Sequence, residues 1–311
     1  MGSTLPVRRS EKAGTRHPFA VGPSLAAPRM RGRGPLTSTA MPYPPGLHVV
    51  DRAPTAAPVA DGPGSPTVVL VHGSLDRAES FGRTARRLGD LRLVTYDRRG
   101  YHGSRRAGVT DLTGHVDDLV ALVDACADGG PSPVVIGHSF GGTVAVGAAL
   151  AAPELIGAVG AWEPPMRWLG FYPGRRIGPL GTAEEEVVGF VDRMVGEGAW
   201  DRLGARGRAE RLADGPALLA DLADLRVPAA PFEVTALRVP AVFGRGGPAS
   251  RPHHRATVEW LAAHVPGAER VDVEAAGHGI HLSAPDAFAR FVRRTVAVAR
   301  PLSPAAEGRR R

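Results

Sequence analysis

Short apolar runs alternate along the chain with segments whose apolar residues follow helical spacing. Residues 67–71 (Thr-Val-Val-Leu-Val) are apolar almost throughout, which is typical of a parallel strand covered on both faces. Residues 112–126 instead place apolar side chains at i, i+3, i+4 and i+7 from Val116 to Val123, which predicts an amphipathic helix. Such alternation predicts an α/β fold, a mostly parallel sheet with helices on both faces. The predicted strands are 47–51, 67–71, 91–96, 133–136, 156–162, 239–244 and 270–274.

The alternation is interrupted over residues 166–235, where the pattern is helical. The predicted helices there are Glu184 to Met194, Ala199 to Leu212 and Ala217 to Leu225. Strand-like sequence resumes at Val239, so we expect a core made of residues 47–165 and 236–300 with a helical insertion at 166–235.

Both ends of the chain have a different composition from the core. Residues 1–40 contain five prolines, five glycines and eight serines or threonines, with few apolar residues. Such a segment buries too little surface to offset its ordering entropy, so 1–46 is predicted to be a disordered extension and 301–311 a flexible tail. Strand-like sequence begins soon after Met41, which led to the hypothesis that the native protein starts there and not at residue 1.

The net charge of +7 belongs to the ends of the chain. Residues 1–40 hold seven basic residues against one acidic residue and 301–311 hold three against one, which leaves about −1 for the body. A nucleic-acid-binding protein should carry its basic residues on the folded body, so we expect no nucleic-acid partner.

Membrane insertion and disulfide formation are not expected either. No run of 18 apolar residues is present, and prolines interrupt the apolar stretch near the N-terminus that a secretory signal would need. The single cysteine, Cys126, cannot form an internal disulfide and falls in a helical pattern. A cytoplasmic protein is therefore the default prediction, and the sequence leaves its oligomeric state open.

The strongest chemical signal is Gly137-His138-Ser139-Phe140-Gly141, which fits G-x-S-x-G between a predicted strand and a helix of small residues. A serine on such a sharp turn presents its hydroxyl at the positive end of the helix. The flanking glycines suit a turn too tight for Cβ atoms. Ser139 is therefore the predicted nucleophile.

A serine nucleophile needs a base, and the base needs a third group to orient it. His278 lies between two glycines after the last predicted strand and is the preferred base, with His281 as the alternative. His138 is expected to point away from the serine hydroxyl, and His253 and His254 to be solvated or to cap a helix.

The acid is less clearly marked. The turn after strand 239–244 reads Gly-Arg-Gly-Gly-Pro over residues 244–248 and holds no carboxylate. Glu163 directly follows the preceding strand, and its carboxylate can approach the base from the same sheet edge, so we assign it as the acid. The alternatives are a Glu163 that only caps a loop, a serine–histidine dyad with water, or Asp97, whose Asp-Arg-Arg-Gly segment is more typical of a turn held by an ion pair.

The oxyanion of a tetrahedral intermediate needs two backbone donors. We expect the amides of Phe140, at the start of the nucleophile helix, and of Ser74, after His72-Gly73, to provide them. Leu75 is the alternative to Ser74.

These motifs together resemble the α/β-hydrolase fold family over roughly residues 47–300. The resemblance rests on Val-His-Gly-Ser at 71–74, Tyr-Asp-Arg-Arg-Gly at 96–100, Gly-His-Ser-Phe-Gly-Gly at 137–142 and Gly-His-Gly at 277–279. It implies an eight-stranded, mostly parallel sheet and a Ser–His–acid site. Within the family, Glu163-Pro164-Pro165 and the missing late aspartate are similar to bacterial members whose acid follows strand six. No metal or organic cofactor is implied.

In this family the insertion corresponds to a helical cap. Its residues Trp168, Phe171, Tyr172 and Phe190 are candidates for an apolar substrate pocket, the alternative being that they pack the cap onto the core. The resemblance implies a serine hydrolase that cleaves a small, largely apolar ester, lactone or thioester through an acyl-enzyme. Other chemistries known on this fold are C–C bond hydrolysis, acyl transfer to another acceptor and cofactor-free, haloperoxidase-like oxidation. A non-catalytic small-molecule binding protein is the competing class.

Overall fold

A computed structural model describes residues 43–55, 65–127, 130–172, 180–227 and 229–300. The predicted extension, apart from residues 43–46, lies outside these ranges, as do the predicted tail and the hypothetical start at Met41.

The centre of the fold is a seven-stranded sheet in the order β1-β3-β2-β4-β5-β6-β7. The β1–β3 pair is antiparallel and the other pairs are parallel. The strands are β1 (Val49–Arg52), β2 (Val68–Val71), β3 (Leu93–Tyr96), β4 (Val134–His138), β5 (Ala158–Trp162), β6 (Ala241–Gly246) and β7 (Glu269–Val273).

The expectation of eight strands is wrong, because seven strands are found in the described part of the chain. Each apolar run read directly from the sequence forms one of them. The connection between β1 and β2 is rich in proline, including Pro54 and Pro66, and proline has no N–H to donate to a strand ladder. The family resemblance implies eight strands, but the sequence has no eighth strand-like apolar run.

Both faces of the sheet are covered. Along β2, Val69 and Val71 belong to the core cluster that includes α2 (Leu112–Cys126), α3 (Phe140–Ala151) and α8 (Pro252–His264). Val68 and Leu70 point to the other cluster, which includes α10 (Pro285–Ala297). This double coverage explains why β2 is apolar at every position.

The remaining helices are short or lie in the insertion. They are α1 (Gly82–Ala85), α4 (Ala183–Val195), α5 (Ala199–Arg202), α6 (Ala205–Ala213), α7 (Gly215–Asp224) and α9 (Ile280–Ser283). The helix predicted over 199–212 is divided into α5 and α6, because Leu203 is extended and Gly204 forms the N-cap of α6. Between β2 and β3 the chain forms a 3₁₀ turn at Ala78–Phe81 followed by α1.

One buried carboxylate joins the insertion to the core. Asp221 of α7 forms an ion pair with Arg98 (Oδ2–Nη2, 2.7 Å), and both side chains are fully buried. Its Oδ2 also accepts hydrogen bonds from the hydroxyls of Ser74 and Tyr101, each at 2.6 Å. Because these three partners follow β2 and β3, Asp221 fixes the insertion to the loops at the carboxyl edge of the sheet.

No helix within the described ranges is long and apolar enough to cross a membrane.

Candidate active site

The carboxyl ends of β4, β5 and β7 bring three polar side chains to one edge of the sheet. Ser139 directly follows β4, Glu163 directly follows β5, and His278 lies in the loop after β7. In parallel sheets this edge is where ligands bind.

Ser139 occupies a strained turn between β4 and α3, with φ +53° and ψ −129°. Its own amide donates to the Trp162 carbonyl at 2.9 Å, which ties the turn to β5. A Cβ at position 137 would lie 2.1 Å from the Gly141 carbonyl oxygen, and one at position 141 would lie 2.3 Å from the Val71 carbonyl oxygen. The glycines of the G-x-S-x-G motif are therefore required by close backbone approach.

Glu163 and His278 form a direct hydrogen bond, 2.8 Å from Nδ1 to Oε2. The other carboxylate oxygen, Oε1, accepts from the Gly246 amide at 2.8 Å, and the Glu163 side chain is fully buried. Burial opposes ionisation, but the hydrogen bond and the charge of His278, together with the Gly246 amide, lower the pKa of Glu163 below its ordinary value. The carboxylate is therefore ionised at neutral pH.

This hydrogen bond also fixes the state of the imidazole. With Nδ1–H donating to the carboxylate, Nε2 is left as the acceptor of the neutral ring. Nε2 is buried and has no hydrogen-bond partner among the described residues. Ser139 and His278 line the same two cavities, so the serine and the imidazole border a shared space.

Position 247 has no room for a carboxylate. A Cβ there would lie 2.2 Å from the carbonyl oxygen of Glu274. The loop after β6 instead contributes the Gly246 amide that holds Glu163.

The candidate oxyanion donors lie around Ser139. Loop 72–75 passes so close that a Cβ on Gly73 would lie 2.9 Å from the Ser139 Cβ. The amides of Ser74, Leu75 and Phe140 donate no hydrogen bond within the described part of the chain. Leu75 has a positive φ of 51°, which a residue other than glycine adopts rarely.

The alternative bases and acids are engaged elsewhere. His281 Nε2 lies 3.1 Å from Asp76 Oδ2. The His138 ring nitrogen Nε2 donates to the His278 carbonyl at 2.8 Å, so His138 supports the loop that carries His278. Asp97 accepts from the amides of Ala78 and Gly103.

The segment 97–100 is not held by the ion pair that its sequence suggested. Arg98 pairs with Asp221 of the insertion, and Arg99 pairs with Asp118 of α2 at 2.6 Å. Both arginines therefore form their ion pairs with other elements and not within the turn.

Two site features were missed from the sequence. His254, expected to be solvated or capping, is 5% exposed and its ring lies 4.4 Å from that of His278. Asp76, whose carboxylate lies 3.1 Å from His281 Nε2, was not predicted as a site residue. Neither belongs to a motif, and their burial depends on how α8 and the β2 loop pack, so no local pattern could have identified them.

Two groups of side chains have the donor chemistry for a metal ion. Asp76, His138 and His281 form one group, and Glu163, His254 and His278 the other, with ligand atoms within 4.8 Å of one another in each. In the second group the hydrogen bond between His278 Nδ1 and Glu163 Oε2 already uses one potential ligand atom from each residue. A metal there would compete with the pairing that orients the His278 ring.

Two cavities meet at Ser139 and His278, one of about 200 Å³ and one of about 440 Å³. Phe190 lines both and Tyr172 lines the larger. Trp168 packs edge-to-face against Phe232 (ring centroids 5.7 Å apart), and neither Trp168 nor Phe171 lines these two cavities. Of the four pocket candidates, Phe190 and Tyr172 therefore line the cavities at Ser139, and Trp168 and Phe171 do not.

Comparison with known proteins agrees with this architecture. Curated relatives from Mycobacterium tuberculosis match part of the chain: lipase LipV is 35% identical over 104 residues, and epoxide hydrolase A is 33% identical over 111 residues. These matches cover 33% and 34% of this chain and only 39% and 34% of the relatives, so they span well under half of either protein.

Among solved structures, the chain resembles a lipase-esterase related protein from Clostridium acetobutylicum with a TM-score of 0.60 and 16% identity. The superposition covers 80% of this chain and 99% of the other, which shows a shared fold. The sequence model described as the alpha/beta hydrolase family matches residues 68–291, most of the chain and all of the site residues. The protein therefore belongs to the alpha/beta hydrolase family.

Proposed function

We propose that the protein is a serine hydrolase that cleaves a small, largely apolar ester, lactone or thioester through an acyl-enzyme on Ser139. The observation that carries the proposal is the 2.8 Å hydrogen bond from His278 Nδ1 to Glu163, which leaves Nε2 unpaired on a residue that lines the same cavities as Ser139. Base and orienting acid are in the relation that nucleophilic catalysis requires.

In the proposed reaction, Ser139 Oγ attacks the substrate carbonyl while His278 Nε2 takes its proton. Glu163 holds the ring in the required tautomer and stabilises the imidazolium by its charge. His278 then protonates the leaving alcohol or thiol. In the second half it removes a proton from water, which attacks the acyl-enzyme and restores Ser139.

The negative charge of each tetrahedral intermediate needs donors that are in place before the reaction. The Phe140 amide at the start of α3 and the amide of Ser74 or Leu75 are the proposed pair, and none of them has another acceptor in the described residues. Helices α4–α7 act as the cap over this site. In support, Phe190 and Met194 of α4 line both cavities, and Asp221 of α7 anchors the insertion to the loop carrying Ser74.

The names of the two relatives support hydrolysis but do not point to one substrate, since one is named a lipase and the other an epoxide hydrolase. A serine at position 139 favours acyl transfer, because a serine alkoxide forms an ester with an acyl group that water can then cleave.

The decisive experiment is labelling with a fluorophosphonate probe, which reacts with activated serines. We expect rapid labelling of the folded protein, with the modified peptide containing Ser139, and no labelling of Ser139→Ala or of the urea-unfolded chain. Ser283→Ala, which removes an exposed serine of α9, is the matched control and should label normally. A folded protein that does not react at Ser139 would support the non-catalytic binding alternative.

A further inference from the structure

The two cavities beside Ser139 differ in chemistry. The smaller one is apolar over most of its wall, with Leu75, Val191, Val195, Ala199, Leu203 and Leu282. The larger one is lined by four arginines, Arg167, Arg193, Arg226 and Arg251. Both contain Ser74, Ser139 and His278, so the reacting carbonyl would lie where an apolar space and a cationic space meet.

Arginines outnumber carboxylates among the described residues that line the larger cavity, four against two. Glu186 lies 3.4 Å from Arg226 and 3.8 Å from Arg193. Glu185 belongs to the capping box of α4, where its Oε2 accepts from the Thr182 amide at 2.8 Å.

Arg251 is held by a main-chain carbonyl and not by a carboxylate within the described ranges. Its Nη2 donates to the main-chain carbonyl of Arg193 at 2.5 Å, and it forms no ion pair with any acidic side chain in the described ranges. Arg167 is half-buried, with its guanidinium 5.5 Å from the centre of the Tyr172 ring.

Positively charged neighbours contribute to lowering the pKa of two side chains that line this cavity. Burial and then the charges of Arg251, His278 and Arg167 lower the pKa of His253 to about 4, with Glu163 opposing them. Burial and then the charge of Arg226 lower the pKa of Arg167. In both cases neighbouring cations oppose a further positive charge, which is the condition under which an anion is attracted.

We propose that the larger cavity is an anion-binding subsite, and that the substrate is an ester or thioester with an apolar group on one side of the reacting carbonyl and a carboxylate or phosphate on the other. This inference rests on the proposed function. A bound anion would offset the charge of Arg251 and the repulsion that Arg226 exerts on Arg167, and guanidinium groups match the geometry of carboxylate and phosphate oxygens.

The test compares charged esters with neutral analogues of similar shape. Butanoate esters of 4-hydroxybenzoate, 4-hydroxyphenyl phosphate and 4-hydroxybenzamide place the charge on the alcohol side. Monomethyl adipate and methyl hexanoate place it on the acyl side. In at least one orientation we expect kcat/KM to be about tenfold or more higher for the anionic substrate, and this advantage to shrink as salt rises from 20 to 500 mM, since screening weakens the attraction.

The variants Arg251→Gln and Arg167→Gln should each lower the ratio of anionic to neutral kcat/KM about tenfold. Using the ratio within each variant cancels the intrinsic reactivity of the esters. Arg290→Gln removes an exposed arginine of α10 that lines neither cavity, and it should leave the ratio unchanged.

A second readout does not require turnover. Binding of monomethyl adipate to Ser139→Ala, measured by calorimetry, should weaken about tenfold when Arg251→Gln is added. Hydrolysis of the neutral esters with no anionic preference in either orientation would overturn the anion subsite and leave the proposed function intact. Absence of hydrolysis and of fluorophosphonate labelling, with adipate ester still bound in an Arg251-dependent manner, would overturn the function but support the subsite.

Discussion

Three residues other than glycine that border the site have a positive φ: Leu75 at 51°, Ser139 at 53° and Glu163 at 45°. Such backbone conformations cost on the order of 1–3 kcal/mol each and persist only where the surrounding structure enforces them. Here Ser139 is enforced by its hydrogen bond to Trp162, and Glu163 by that of its amide to the Gly244 carbonyl, each at 2.9 Å. Strain at the end of β4 and of β5 thus aims the side chains of the proposed nucleophile and acid.

Glu163→Gln tests the proposed acid. The amide keeps the length of the side chain and an oxygen for the Gly246 N–H, but it loses the charge that stabilises the imidazolium. We expect kcat for an activated ester to fall at least about a hundredfold with the fold unchanged by circular dichroism. Glu154→Gln, on an exposed glutamate before β5, should retain full activity. A loss of tenfold or less at position 163 would point to a serine–histidine dyad.

Gly247→Asp tests whether the loop after β6 could hold the acid that we propose for Glu163, after β5. Because a Cβ at 247 would lie 2.2 Å from the Glu274 carbonyl oxygen, we expect the variant to be less stable by about 1–3 kcal/mol in urea unfolding. We also expect Glu163→Gln/Gly247→Asp to be no more active than Glu163→Gln. Gly82→Asp, at a position with nothing within 4 Å of a Cβ, is the control for adding an aspartate. Recovery of activity in the double variant would show that the loop can supply the acid after all.

At the scale of the elements, the sequence predicted strands and long helices better than the way they pack. The helix over 112–126 is found unchanged as α2, because its apolar spacing and the Asp111 N-cap act locally. The G-x-S-x-G turn was predictable because its glycines are required by close backbone contacts within the β4–α3 turn and with β2. Asp221 and His254 were not identified, since each is buried by elements distant in sequence. The catalytic roles of Ser139, Glu163 and His278 stay predictions until the variants are measured.

Asp221→Ala tests the anchor between the insertion and the core. Removing this carboxylate leaves the fully buried Arg98 without its ionic partner, which typically costs about 3–5 kcal/mol. We expect a loss of that size in urea unfolding, together with faster hydrogen exchange in α4 and α7. Asp201→Ala, on an exposed aspartate of α5, should change stability by no more than about 0.5 kcal/mol. If Asp221→Ala were equally harmless, the insertion would be held by its apolar contacts alone.

At the scale of the whole molecule, the same interface contains two aspartates whose pKa values move in opposite directions. Burial raises the pKa of Asp221, but the charge of Arg98 and the hydrogen bonds of His115 and Arg98 outweigh it and leave the pKa below its ordinary value. Its contribution to stability is therefore present above about pH 4 and is lost as the pH falls further. Burial, and next the charge of Asp221, raise the pKa of Asp224 to about 7 against the hydrogen bond from the Leu112 amide.

The sign for Asp224 is the reverse, because a carboxyl with a raised folded-state pKa favours folding when it is protonated. Its contribution is fully present below about pH 4, the unfolded pKa, and is lost as the pH rises to about 7. Asp224→Asn stays neutral and its amide oxygen can still accept from the Leu112 N–H, now 2.7 Å from Asp224 Oδ2. The variant should therefore become increasingly more stable than the parent protein as the pH rises from 4 to 7.

We expect the free energy of unfolding of Asp224→Asn to exceed that of the parent by at least about 1 kcal/mol at pH 8, discounted for partial exposure, and to equal it at pH 4. Urea unfolding at each pH measures the difference, with Asp201→Asn as the control for loss of one negative charge. A gain that is the same at pH 4 and pH 8 would mean that Asp224 does not link the insertion to α2 through its protonation state.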